Sequence, residues 1–288
     1  MTNTSDRGRL CLLSFHAHPD DESSKGAGTV HRYAQEGVHC VLVCATGGEM
    51  GEILNPAMDS PEVRDNLAEV RRAELAKAAE IIGFDRVVML GYRDSGMADS
   101  PANDEPTCFA QADEGEAVGR LVEVIRQERP HVVLTYADDQ EGYPHPDHLR
   151  VHDVGIAAFD AAGDPSAYPE AGPPWRPSKL YYSAWSRARL RALHEKFLEL
   201  GIESPFDQKW LERPGHDERI TTRVHVPDGE EVRRAALLAH ATQIDPASPF
   251  WFGLPSDVAA YPYEDFILAR SDVDSPPPED DLFAGLRG

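Results

Sequence analysis

The sequence predicts an α/β fold, a mostly parallel sheet flanked by helices, and three observations carry that expectation. Short β-branched apolar runs alternate with helix-like segments through the first half; each run is apolar throughout rather than at every second residue; and Gly or Pro closes the helices between them. A strand covered on both faces needs a continuous apolar run, and parallel neighbours need a crossover long enough to hold a helix.

The first strand is LCLLSF at 10–15, followed by a helix from Gly26 to Glu36 that stops at Gly37. VHCVLVC at 38–44 is the second strand. Pro61 to Ile82 carries Val63, Leu67, Val70 and Leu75 at helical spacing before Gly83, and RVVML at 86–90 is the third strand. A helix from Glu114 to Arg129 stops at Pro130, HVVLTY at 131–136 is the fourth strand, and a further helix runs from near His148 to Gly163. Beyond the Pro-rich stretch DPSAYPEAGPPWRPS at 164–178 the rhythm is less regular: a strand KLYYSAW, a helix from Arg187 to Leu200, a strand ITTRVHV and a helix from Glu230 to Thr242. DVDSPPPEDD reads as a mobile acidic tail, with the following LFAGL able to dock. The expected organisation is a core over 1–163 that carries the chemistry, a C-terminal extension over 164–270 packed on it, and an acidic Pro-rich tail over 271–288.

Composition narrows the function classes. The chain has 288 residues, 41% apolar and 27% charged, which is globular rather than disordered or fibrous. Fifty acidic residues against 28 basic ones give a formal net charge of −22 with no basic stripe, so nucleic acid is not an expected partner. No run of 18 apolar residues occurs and MTNTSDRGRL contains no h-region, so the expected location is the cytoplasm and a membrane is not an expected partner either. Cys40 and Cys44 lie on one strand, ~13 Å apart at ~3.3 Å per residue, too far for a disulfide or a shared metal. The sheet is Rossmann-like in pattern, but Gly26-Ala27-Gly28 lacks the dinucleotide spacing, so no nicotinamide cofactor is expected.

The chemistry is expected where two strands end. His16 to Glu22 gathers two imidazoles and three carboxylates right after a buried strand, a grouping that is costly without a compensating partner such as a metal ion. The fourth strand runs toward Tyr143-Pro144-His145-Pro146-Asp147-His148, so two His-Pro-Asp elements leave the same edge of the sheet, where open parallel sheets bind ligands. His18 with Asp21 and His145 with His148 are three residues apart, on one side of a helical turn. A catalytic zinc needs three N or O donors and an open position, and these four are the candidates.

HAHPDDE followed by GYPHPDH resembles the LmbE or PIG-L family of zinc-dependent N-acetylglucosamine deacetylases and related amidases. SSKGAGT, TGGEMGEILNPAMD at 46–59, GYRDSGM at 91–97, AHATQIDP at 239–246 and LFAGL at 282–286 are similar to the amidase branch of that family, over nearly the whole chain. The resemblance implies an LmbE-like fold, Zn2+ (or Fe2+) on His18, Asp21 and His148, and a water whose pKa falls to about 7. It implies Asp20 as general base, Tyr143 as donor to the oxyanion, and His145 as an electrophile or acid held by Asp147. Lys25, Arg71 and Asp94 would contact substrate. The implied activity is hydrolysis of the amide of mycothiol S-conjugates, a small pseudo-disaccharide thioether substrate, in detoxification. The alternative is removal of acetyl from N-acetylglucosaminyl inositol in mycothiol biosynthesis, or from another amino sugar. Glu141 stands where related chains often have glycine, His16 reads as structural, and Glu22 as a group that positions either a ligand or the backbone. The TGGE loop is expected to line the pocket, Phe250-Trp251-Phe252 to wall an acyl cleft or join the core, and the oligomeric state stays open.

Overall fold

The computed structural model describes residues 8–138, 143–212, 217–256 and 258–287. Glu141 lies outside them, as do the first seven residues.

One seven-stranded sheet runs through the molecule: β1 Cys11–His16, β2 His39–Thr46, β3 Arg86–Tyr92, β4 Val132–Tyr136, β5 Lys179–Ala184, β6 Thr222–His225 and β7 Tyr263–Ser271, in the order β3-β2-β1-β4-β5-β7-β6. The first five strands are parallel, and β7 pairs antiparallel with both β5 and β6. Helices are α1 Asp21–Ser24, α2 Ala27–Gln35, α3 Pro61–Asp65, α4 Leu67–Ile82, α5 Glu114–Glu128, α6 Pro146–Ala162, α7 Arg187–Glu199, α8 Gln208–Leu211, α9 Gly229–Ala239 and α10 Pro249–Phe252. Strand β1 is buried on both faces: Leu13 and Phe15 join the core under α5 and α6, whereas Leu12 joins the opposite core with Val30, Tyr33 and Ala78. That is why its sequence shows no alternation.

Three departures have physical causes. The helix expected over 61–82 is broken at Asn66, whose side-chain amide donates to the Glu62 carbonyl at 2.9 Å and competes with the helical ladder. Strand β7 is absent from the sequence reading because two carboxylates follow its first residue, Tyr263, yet both are buried and engaged. Glu264 accepts from the Gly28 and Thr29 N–H groups at 3.2 and 2.8 Å, and Asp265 accepts from Ser186 and Tyr261. The acidic segment near 279 is docked rather than mobile. Leu282 and Phe283 are fully buried beside Tyr33, and Glu279 accepts from the fully buried Lys179 at 2.5 Å, from Tyr181 and from Thr222. Glycine is required where α2 and α9 cross: a Cβ on Gly28 would stand 2.8 Å from the Gly229 Cα.

The order 3-2-1-4-5 reverses direction between β1 and β4, which opens a crevice at their carboxyl ends. The loop after β1 and the start of α6 meet there. All four cysteines are buried and free, and no helix among the described residues is long and apolar enough to cross a membrane.

Candidate metal centre

The crevice holds His18, Asp21 and His148, all buried, with one ligand atom from each within 4.8 Å of the others. His18 Nδ1 lies 3.5 Å and His148 Nε2 lies 3.4 Å from Asp21 Oδ2. His148 Nε2 has no hydrogen-bond partner although it is buried, a cost that a bound cation removes. Two nitrogens and a carboxylate oxygen are the donor set of a divalent transition ion, so the residues fit one. A second group, His18 with Asp94, His145 and Asp147, also converges within 4.8 Å; its carboxylates accept from N–H and O–H donors, as Asp21 Oδ2 does from the His18 N–H at 3.0 Å.

The loop after β1 is held under tension. Asp20 has φ 112°, a left-handed conformation costly for a residue with a Cβ, and it is kept there from both sides. Glu22 Oε2 accepts from the Asp20 N–H at 2.9 Å, and Arg71 donates to the Pro19 carbonyl and to Asp20 Oδ2 at 2.9 Å. Glu22 is in turn paired with the fully buried His240 at 2.7 Å. The Asp20 side chain, next in sequence to Asp21, remains 28% exposed on Arg71. Burial pushes its carboxyl above the usual range against the pull of Arg71.

The start of α6 is built differently. Pro146 occupies the first helical turn and the His145 side chain caps the helix, its Nδ1 accepting from the Asp147 N–H at 3.2 Å. That capping contact corrects the expected His145–Asp147 pair. The Asp147 carboxylate reaches His18 Nε2 at 3.1 Å and accepts from Ser95 N at 3.0 Å and Ser95 Oγ. Asp147 therefore fixes the His18 tautomer with Nδ1 turned to the donor set. The carboxylate facing His145 Nε2 is Asp94, 4.0 Å away. Tyr143 is 51% exposed at the mouth, its ring 5.0 Å from His148 and 5.9 Å from His145.

The three residues expected to touch substrate each make contacts within the protein. Arg71 is 2% exposed and donates to Gly48 O, Pro19 O and Asp20, so it organises two loops. Asp94 is buried and accepts from the Met50 and Gly96 N–H groups at 3.2 and 2.8 Å. Lys25 sits on Asp21 Oδ1 and above the Tyr136 ring at 5.4 Å, beside the donor set. The 46–49 loop does border the crevice, with Glu49 accepting from the Asp94 N–H at 3.2 Å.

Electrostatics reflect a pocket short of positive charge. Burial lowers the His18 pKa, but Asp147, Asp21 and Asp94 outweigh it and hold it well above 6.5. Burial brings His148 down to about 4, leaving the neutral ring a metal requires. Burial likewise opposes ionisation of Asp21, yet Lys25 and His148 hold it well below the usual range.

Sequence reasoning assigned no role to Ser95, His240 or the Glu74–Thr242 pair. Glu74 accepts from Thr242 N at 2.8 Å and Oγ1 at 2.7 Å, and so anchors the 239–246 segment against α4. The signal for these was the two motifs GYRDSGM and AHATQIDP, read only as likeness. From the anchored segment the chain enters α10, where Phe250 stacks on Trp185 at 6.0 Å with Trp251 edge-on at 6.1 Å. The Trp185 indole donates to the Ser24 carbonyl at 3.4 Å, which places this half-exposed aromatic patch next to the metal loop. Phe252 lies apart, under Arg234 at 4.9 Å.

A family model, PIG-L: GlcNAc-PI de-N-acetylase, matches residues 13–159, from β1 through α6 and including every donor described. The chain belongs to the PIG-L family. Among PIG-L relatives, a mycothiol S-conjugate amidase of Streptomyces coelicolor is 45% identical, covering 97% of this chain and 98% of its own length. A 1D-myo-inositol 2-acetamido-2-deoxy-alpha-D-glucopyranoside deacetylase of Geodermatophilus obscurus is 41% identical over 96% and 98%. The fold also matches the solved structure of N,N'-diacetylchitobiose deacetylase from Pyrococcus horikoshii, with TM-score 0.63 and 18% identity, over 92% of this chain and 85% of that one.

Proposed function

We propose that this PIG-L protein is a zinc-dependent amide hydrolase that cleaves mycothiol S-conjugates. The amide between the glucosamine nitrogen and the cysteinyl carbonyl breaks, giving glucosaminyl inositol and an N-acetylcysteine S-conjugate, a cytoplasmic detoxification step. The observation that carries the chemistry is the three-donor set with its unpartnered His148 Nε2.

His18, Asp21 and His148 would hold Zn2+, with Fe2+ the alternative; when bound, the ion supplies Lewis acidity and a water of lowered pKa. Asp20, raised in pKa and part-exposed, takes the proton of the attacking water and delivers it to the departing amine. Tyr143 at the mouth donates to the oxyanion of the tetrahedral intermediate, and His145 adds a second donor through Nε2. Asp147 keeps His18 oriented, Lys25 steadies Asp21, and Arg71 and Asp94 hold the loops around the substrate. Residues 1–163 carry this machinery, while 164–270 bring the aromatic patch beside it and 271–288 close the far side.

The choice of a thioether-bearing acyl group rests on the 45% identical amidase and on Trp185, Phe250 and Trp251, which offer an apolar wall that acetate does not need. The second reading, deacetylation of N-acetylglucosaminyl inositol, is favoured by the 41% identical deacetylase. A side-by-side assay of zinc-loaded and metal-stripped protein decides. Higher kcat/KM on a thioether conjugate, lost on stripping, supports the amidase; higher kcat/KM on the acetyl substrate moves the protein to biosynthesis.

A further inference from the structure

Glu22 ends the HAHPDDE motif and His240 lies at the start of the 239–246 segment, and neither takes part in the proposed chemistry although both are fully buried. His240 stands where α9 ends. The Gln243 and Ile244 N–H groups donate to its carbonyl at 3.0 Å, and Thr242 on Glu74 fixes the same turn from the other side. Its Nε2 donates to Glu22 Oε1 at 2.7 Å. Nδ1 is buried with no hydrogen-bond partner among the described residues, so the ring acts through Nε2 alone. A buried ion pair is seldom more stabilising than apolar residues of the same volume, so the pair is better accounted for by what it touches.

What it touches is the peptide between Pro19 and Asp20. The Asp20 N–H donates to Glu22 Oε2 at 2.9 Å, while Arg71 donates to the Pro19 carbonyl of that same peptide, which is thus gripped at both ends. Asp20 precedes α1, where an aspartate ordinarily turns its carboxylate back onto the first N–H groups of the helix. With φ 112° and ψ −25° it makes no such bond, and its Oδ2 accepts from Arg71 at 2.9 Å instead. Glu22 reaches back to the capping residue as the glutamate of a capping box does, two positions on rather than three. The arrangement spares the Asp20 carboxylate from capping.

We infer that His240 is a positioning residue for Asp20: by fixing Glu22 it holds the Asp20 peptide in its left-handed turn and keeps the carboxylate off the helix end. The inference rests on the proposed role of Asp20 as base. Ser23 Oγ also donates to Glu22 Oε1, but a hydroxyl on the next residue turns with Glu22, whereas His240 is set from 218 residues away. The C-terminal half thereby reaches the chemistry through one imidazole.

The test is a double-mutant cycle on the zinc-loaded protein, read as kcat and KM on the better of the two amide substrates, with zinc content by elemental analysis. His240→Leu should lower kcat by about tenfold or more with KM and zinc content near those of the parent, because misplacing a reacting group by ~1 Å can cost ~10²-fold. In an Asp20→Asn background the same change should lower kcat by about twofold or less, since no base is left to misplace. Equal factors in the two backgrounds, or zinc lost from His240→Leu in step with activity, overturn the inference and make His240 a structural residue. Near-parent turnover in zinc-replete Asp20→Asn alone removes the base assignment, and the inference falls with it; a slow Asp20→Asn with equal factors overturns the inference only. Should His240→Leu fail to fold, His240→Gln keeps one N–H in the place of Nε2 and goes through the same cycle, with about a threefold loss expected in the parent background only.

Discussion

The two His-Pro-Asp elements share three residues and divide the work in opposite ways. In the first, the histidine His18 is a candidate ligand and the aspartate Asp20 stands 28% exposed on Arg71, in a left-handed conformation. In the second, the histidine His145 caps a helix and the aspartate Asp147 is fully buried on His18, while the candidate ligand is His148 one residue on. The backbone makes the difference. A strand running into a strained turn throws Asp20 outward, whereas a proline in the first helical turn folds Asp147 inward under α6. One tripeptide thus yields the proposed base in one setting and a group on His18 in the other.

Substitutions can break or sharpen that contrast. The largest effect on turnover is expected from His18→Ala and His148→Ala, which should lose bound metal along with activity; full metal occupancy in either by elemental analysis contradicts the ligand set. Asp20→Asn should keep the metal and lower kcat by ~10²- to 10⁴-fold. Near-normal turnover in a metal-replete sample removes the base assignment. Asp147→Asn should act through His18 instead, weakening metal affinity or activity by ~10- to 100-fold. If it matched Asp20→Asn in kcat with metal affinity unchanged, the two aspartates would not be divided as described.

Smaller and more selective is Trp185→Ala. It should lower kcat/KM on a bulky thioether conjugate by roughly 10-fold or more while leaving the acetyl substrate little changed, since a lost apolar wall costs ~1 to 3 kcal/mol. Equal losses on both substrates would make Trp185 a structural residue only. Least effect on turnover, and the clearest on stability, is expected from Glu279→Ala. It strands the buried Lys179 and should cost about 3 to 5 kcal/mol in denaturant unfolding. Burial opposes ionisation of Glu279, but Lys179 and its other donors hold its pKa below 4.5. Its contribution is therefore complete above pH 4.5 and fades as acid takes the pH through the lowered value. An acid unfolding curve identical in parent and variant would rule this out.

Much of this was legible in the residues. Uninterrupted apolar runs located β1 to β4, and the clustering of imidazole and carboxylate at two strand ends located the crevice. Roles that depend on direction were not legible. Whether Asp147 turns toward His145 or His18 is set by the Ser95 donors, which arrive from another loop, and the sequence spacing carries no trace of them. Arg71 and Asp94 resemble surface groups in a string of letters, yet each is buried because several backbone groups converge on it. The docking of LFAGL was foreseen, but β7 and the buried Glu279 before it escaped for a related reason: their charged residues are held by partners far away in the chain.

The buried Glu22–His240 pair joins positions 218 residues apart, and Asp147 reaches back 129 residues to His18. Contacts of such separation form late, after the intervening chain has closed its loops. The cradle for an ion is therefore a product of completed folding rather than a seed for it, and a metal would be captured by a finished vessel. Because an ion that binds only the native state stabilises it by mass action, metal retention doubles as a gauge of global integrity. Any lesion that loosens the crossing of α2 and α9, however remote from the crevice, should register first as leakage of the ion.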